Sequence, residues 1–247
     1  MDRTMTIKNK RLSTNNLKLS KMFDSKTFIF MIIGFLLSRS ILIDGIAPLG
    51  LAFFLYICKV DKYRIPVYIA TLAGTLLSFN EMPIIIKYAV CLTLILIFSK
   101  KIKEITAIIK LSLVGVFVIL PASIICTCIT KPGLYSFIIV GIETMIVFTS
   151  SFIFAYGVKF LISNQNKMAI KTEEVISISL LATFSIMGVG QTAILGISIR
   201  AVFATVFILI SAVVGGASVG SSCGVIVGLA FIINNAVSAI YMGIYAF

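Results

Sequence analysis

The run AVFATVFILISAVVGGASVGSSCGVIVGLAFII, residues 201–233, holds no charged side chain. Within it Gly216, Gly220, Gly224 and Gly228 stand four residues apart. In water, glycine inside a helix costs roughly 1 kcal/mol relative to alanine. In a bilayer a helix must satisfy its own backbone whatever its sequence. There, small residues at i and i+4 clear a groove into which a neighbouring helix presses its backbone. The run therefore predicts a membrane helix with a packing face on those four glycines. Its partner is a helix of the same chain or, alternatively, a second copy in self-association.

The rest of the chain reads the same way. Its 247 residues are 60% hydrophobic and 12% charged, with a mean hydropathy of +1.13. Soluble domains carry about 25% charged residues. The predicted fold class is all-α: a polytopic transmembrane helix bundle of about nine to ten spans. Residues 1–26 form a basic tail, and residues 27–247 a single multi-span membrane domain. The formal charge of +12 comes from 21 Lys and Arg against nine Asp and Glu. Because the cations sit between apolar runs, they read as the positive-inside bias of a membrane protein. The lipid bilayer is the expected partner, and nucleic acid is not.

Apolar runs at 27–43, 45–58, 65–79, 84–98, 105–128, 134–156, 175–189, 197–214 and 219–234 are the predicted spans. The second is too short for the roughly 20 residues a spanning helix needs. It suggests a tilted hairpin or a partly re-entrant pair with the first. Pro48 stands where it can open this helix, and Pro121 is expected to kink the fifth span. The tail and the connections at 59–64, 99–104 and 159–174 carry sixteen of the 21 basic residues. Counted from an N-terminus in the cytoplasm, all four fall on one side. The first apolar run lacks a small-residue cleavage pattern, so it reads as an uncleaved anchor rather than a removable signal.

Five ionisable residues interrupt or border the spans: Arg39, Asp44, Lys87, Glu143 and Arg200. Each costs about 2.5–3.5 kcal/mol at a helix centre on insertion scales, so such residues face inward and pair. Arg39 and Asp44, five apart, are expected to pair locally. Lys87, near a span end, can snorkel to the surface. Glu143, in mid-span, requires a partner or a proton. A proton or ion path centred on Glu143, with Lys87, is the functional alternative, and makes the chain a small-molecule or ion permease.

Enzymatic chemistry finds little support. The chain has no His, which excludes a Ser-His-Asp triad. It has no G-x-x-x-x-G-K-[ST] phosphate loop. Its four Asp are scattered. Cys126 and Cys128, the one close cysteine pair, lack metal-ligand spacing, and all five cysteines are expected to be free thiols. No catalytic, cofactor-binding or metal site is expected within the chain.

Three stretches together carry a family resemblance: RSILIDGIAPLGLAFF at 39–54, TEEVISIS at 172–179, and the glycine array from Gly215 to Leu229. Their order and separation resemble the N-terminal membrane region of stage II sporulation protein E, from about residue 27 onward. The resemblance implies about ten spans followed by a central region and a cytoplasmic manganese-dependent serine phosphatase of the PP2C type. It also implies localisation in the bacterial cell membrane at the asymmetric sporulation septum, with the cell-division ring and an anti-sigma factor antagonist as partners. Phosphatase action on that antagonist frees the first forespore sigma factor. The chain is expected to be truncated before the phosphatase, so no catalytic residue is carried over. A structural membrane protein of the septum, with no partner enzyme, is the third reading.

Overall fold

The computed structural model describes residues 25–42, 45–130, 132–162, 172–190, 193–194 and 197–234. Its elements are α1 (Ser25–Arg39), α2 (Leu49–Ile57), α3 (Asp61–Ser78), α4 (Met82–Ile97), α5 (Ser99–Glu104), α6 (Ile108–Thr130), α7 (Leu134–Ile162) and α8 (Thr172–Met187). A strand pair of two residues each, β1 (Ala193–Ile194) and β2 (Ile197–Ser198), precedes α9 (Ile199–Gly215) and α10 (Ala217–Asn234). The all-α expectation holds. Two helices, α6 and α7, are long and apolar enough to cross a membrane, and α4 and α9 are shorter apolar helices.

Polarity is arranged for an apolar surround. Large hydrophobic side chains point outward from almost every helix: Phe117 on α6 is 77% exposed, Met145 on α7 is 74%, and Val213 on α9 is 86%. The interior in turn accepts serine and threonine. Thr71, Thr75 and Ser78 of α3 donate to the carbonyls of Tyr68, Leu72 and Gly74. Each hydroxyl is thereby satisfied by its own helix and can be buried without a partner elsewhere.

The second apolar run is the centre of the bundle. α2 has nine residues, roughly 13 Å of helix, less than half of a ~30 Å hydrocarbon layer. Phe53, Phe54, Leu55 and Ile57 are all fully buried. Pro48 caps its start. It descends beside α1, so that α1 and α3 run parallel: the rings of Phe30 and Tyr63 lie 4.9 Å apart, and Ser78 donates to the carbonyl of Ser38 at 3.5 Å. A β-carbon on Gly74 would fall 2.5 Å from the Phe35 carbonyl oxygen, and one on Gly50 within 2.8 Å of the Ser38 Cα. Glycine is required where these backbones meet.

Several expectations need correction. The 99–104 connection is helical, because Ser99 and Ile102 are buried while Lys100, Lys101 and Lys103 stay in the open. Pro121 lies inside α6, as expected of the fifth span. The polar loop predicted from residue 159 shrinks at both ends: Lys159 lies in the last turn of α7, and Glu173 and Glu174 open α8. Both placements complement the helix dipole, with cations at the C-terminus and acids at the N-terminus. The tail before residue 25, the apolar run after residue 234 and Asp44 lie outside the described residues.

The basic connections do gather at one end. Lys26 reaches the carbonyls of Leu161 and Ile162 at 3.4 Å, which joins the start of α1 to the end of α7. Lys59 donates to the carbonyl of Ile105. Arg64 donates to Ser99 at 2.9 Å, and Lys103 reaches Asp61 at 2.6 Å. Lys103 and Arg64 hold the Asp61 carboxyl below the usual aspartate range. A folded value below the unfolded one, about 3.9, means that the ion pair supports the fold above that value and is lost as pH falls through the folded value. The small stability difference between wild type and Asp61→Asn is therefore expected to be flat from pH 8 to 5 and to close below about pH 4 in thermal unfolding.

Candidate functional site

Four elements converge on one carboxylate. Glu143, a third of the way along α7, is 1% exposed. Lys87 of α4 donates to its two oxygens at 2.8 and 3.0 Å. Ser123 of α6 donates to Oε2 at 2.7 Å. The Tyr88 hydroxyl donates to Oε1 and accepts the backbone N–H of Ala47, just before α2, at 3.0 Å. Both oxygens are thus engaged by side-chain donors. The ammonium also lies 4.4 Å from the Tyr88 ring centroid. Lys87 does not snorkel, as its sequence position allows. It turns inward, because neutralising a buried carboxylate outweighs reaching the surface. Its stem borders an apolar crevice of about 300 Å³ between α4 and α6, lined by Pro83, Ile86, Val90 and Ala122 among others.

The other charges stand apart from this cluster. Arg39 ends α1 with its guanidinium 5.7 Å from the Phe35 ring. Its expected partner Asp44 lies outside the described residues. Arg200, the second residue of α9, is mostly buried and lies 4.5 Å from the Phe231 ring of α10. The structure therefore unites Lys87 and Glu143 and adds Tyr88, Ser123 and the Ala47 backbone. Of these only Tyr88, the chain neighbour of Lys87, carried any signal in the sequence. Among the described residues no group of three or more His, Cys, Asp or Glu could hold a metal ion.

The glycine array divides in two. Gly216 is not part of the packing face: it is exposed, has φ +82°, and forms the turn between α9 and α10. That backbone region is readily open only to glycine. Gly220, Gly224 and Gly228 are buried along α10. A β-carbon on Gly220 would fall 2.5 Å from that of Ala212 on α9. On α8, the Ser179 hydroxyl meets the Cys223 thiol of α10 at 3.2 Å. These three glycines face the interior of the described bundle.

The family described as SpoIIE, N-terminal domain, matches residues 1–247, the whole chain. The chain belongs to this family. Stage II sporulation protein E of Bacillus subtilis (strain 168) is 27% identical to it over 235 residues, 93% of the chain. The chain spans 28% of that relative's length. No solved structure matches it.

In this chain, Tyr88→Phe isolates the hydroxyl that links α4, α7 and the start of α2. It removes one donor to Glu143 and leaves the buried Ala47 N–H without its acceptor. A cost of about 1–3 kcal/mol is expected, read as a lowered thermal midpoint of the purified chain in detergent.

Proposed function

We propose that this chain is the multi-pass membrane region of a stage II sporulation protein E-like phosphatase, and that it anchors and helps assemble that enzyme at the asymmetric division septum. The match to the family over the entire chain carries this reading. In it, the manganese-dependent serine phosphatase, its anti-sigma factor antagonist substrate and the contact with the division ring belong to the part of the relative that the chain does not cover. Forespore sigma factor activation is then an output of the full-length protein.

The structure supports the membrane part in physical terms. Apolar side chains face outward, and the basic connections collect at one end. In this reading that end is cytoplasmic, because Lys and Arg near span ends are retained on the cytoplasmic side. Antiparallel neighbours, α6 against α7 at Gly115 and Val147 and α3 against α4 through the Lys103–Asp61 pair, support this reading, in which the nine longer helices are nine passages with α2 a half-length one. Reporter fusions after Glu104 and Ile162 are expected to report the cytoplasm, and fusions after Phe79 and Gly133 the outside. Opposite sides for Glu104 and Ile162 would refute the topology. A fluorescent full-length protein is expected to form a band at the polar septum of sporulating cells, and a uniform membrane signal would remove the septal role.

The permease reading rests on the same Lys87–Glu143 pair. The geometry favours a clamp, since both carboxylate oxygens are already taken by three side chains. Proton flux in liposomes that depends on Glu143 and vanishes in a folded Glu143→Gln variant would reverse that preference.

A further inference from the structure

The short helix α5 forms a cationic shelf directly above an apolar wall. Its inner face is anchored by Ile102, 2% exposed, while Lys100 and Lys101 are exposed. Lys110, exposed in the first turn of α6, adds a third cation at the same end. Beside these cations stand Ile97 at 70% exposure, Phe98 at 47% and Ile109 at 57%. Two acids lie close by: Asp61, which already receives Arg64 and Lys103, and the exposed Glu104, which borders the same hollow as Lys100; against Arg64, Lys100, Lys101, Lys103 and Lys110 they leave this end net positive. Exposed apolar side chains within three residues of exposed ammonium groups match the boundary between acyl chains and headgroups.

We propose that this shelf is a binding surface for anionic phospholipid headgroups, with their acyl chains against Ile97, Phe98 and Ile109. The proposal rests on the membrane reading above and adds a lipid preference to it. A zwitterionic headgroup offers no net charge to three ammonium groups at one end of the bundle, whereas a phosphatidylglycerol-type headgroup does. Each Lys near such a surface is worth about 1 kcal/mol, close to fivefold in affinity, and the attraction weakens with salt.

The test uses the full chain purified in a neutral detergent. Phosphatidylglycerol and phosphatidylcholine of identical acyl chains are titrated in turn, and the thermal unfolding midpoint is followed. Phosphatidylglycerol is expected to raise the midpoint and phosphatidylcholine to do little. The triple variant Lys100→Gln/Lys101→Gln/Lys110→Gln is expected to need more than tenfold more phosphatidylglycerol for the same shift. The triple Arg variant should respond as wild type does, which separates charge from folding. Equal shifts with both lipids, or an unchanged response in the Gln variant, would overturn the lipid preference and leave the membrane reading standing. A chain that stays monodisperse without detergent, and responds to neither lipid, would overturn both.

Discussion

Glu143→Gln is expected to lower the stability of the folded chain by about 3–5 kcal/mol, the usual cost of removing one partner from a buried ion pair. The loss arises mainly from the survivor. Lys87 is left in a site where its side chain is 7% exposed, without the carboxylate to which it donates. Lys87→Met should cost a similar amount, since Glu143 would then hold only the Ser123 and Tyr88 hydroxyls. The double variant Lys87→Met/Glu143→Leu removes both charges and fills the space with apolar groups. It is expected to recover much of the loss, because a buried pair replaced by packed hydrophobic residues is often close to neutral. Denaturant titration of wild type, Lys87→Met, Glu143→Leu and the double variant in the same micelle supplies the cycle. Additive losses in the double variant would mean that the two residues do not interact, and the clamp would have to be abandoned.

Among the described glycines, Gly188→Ala is expected to be the most damaging single-methyl change. A β-carbon there would lie 1.8 Å from the Leu36 carbonyl oxygen and 2.6 Å from its carbon. Both are backbone atoms, so no side chain can swing aside. One residue earlier on α1, the Phe35 carbonyl is met by Gly74 of α3, so α1 is gripped from both sides and cannot retreat. Overpacking of a tight interior costs typically 1–3 kcal/mol, occasionally more, and this site belongs at or above the upper end. Gly141→Ala provides the contrast. It lies in α7, exposed, with nothing within 4 Å of an added β-carbon. There, alanine is expected to stabilise by up to about 1 kcal/mol through helix propensity. Thermal midpoints of the two variants should move in opposite directions, and a tolerated Gly188→Ala would show that α1 and α8 are not so closely apposed.

The two glycine predictions show what was legible in the sequence and what was not. The spacing of Gly220, Gly224 and Gly228 marked a packing face because it stands out in a charge-free run. Gly34-x-x-x-Ser38 and Ala70-x-x-x-Gly74-x-x-x-Ser78 have the same spacing, and they build the α1–α3 contact. Neither stood out, because each has only one glycine. Gly188 and Gly50 carry no such spacing: Leu36, the partner of Gly188, is far away in the chain, and Ser38, the partner of Gly50, stands across the connection between α1 and α2. Gly216 fits the periodicity by position alone, and only its positive φ reveals that the helix begins after it.

Composition and the order of apolar and basic segments determined the all-helical architecture, the approximate ends of the helices and the single end at which the cations collect. These are local or one-dimensional properties: a run of apolar side chains and the sign of the charges between runs. Tertiary structure alone decided that Lys87 turns inward to Glu143, that Ser123 and the Ala47 backbone complete its shell, and that α2 is a buried half-helix rather than a lipid-facing one. Pairing depends on which faces of distant helices meet, and in a chain apolar on nearly every face, periodicity does not say which face is inside.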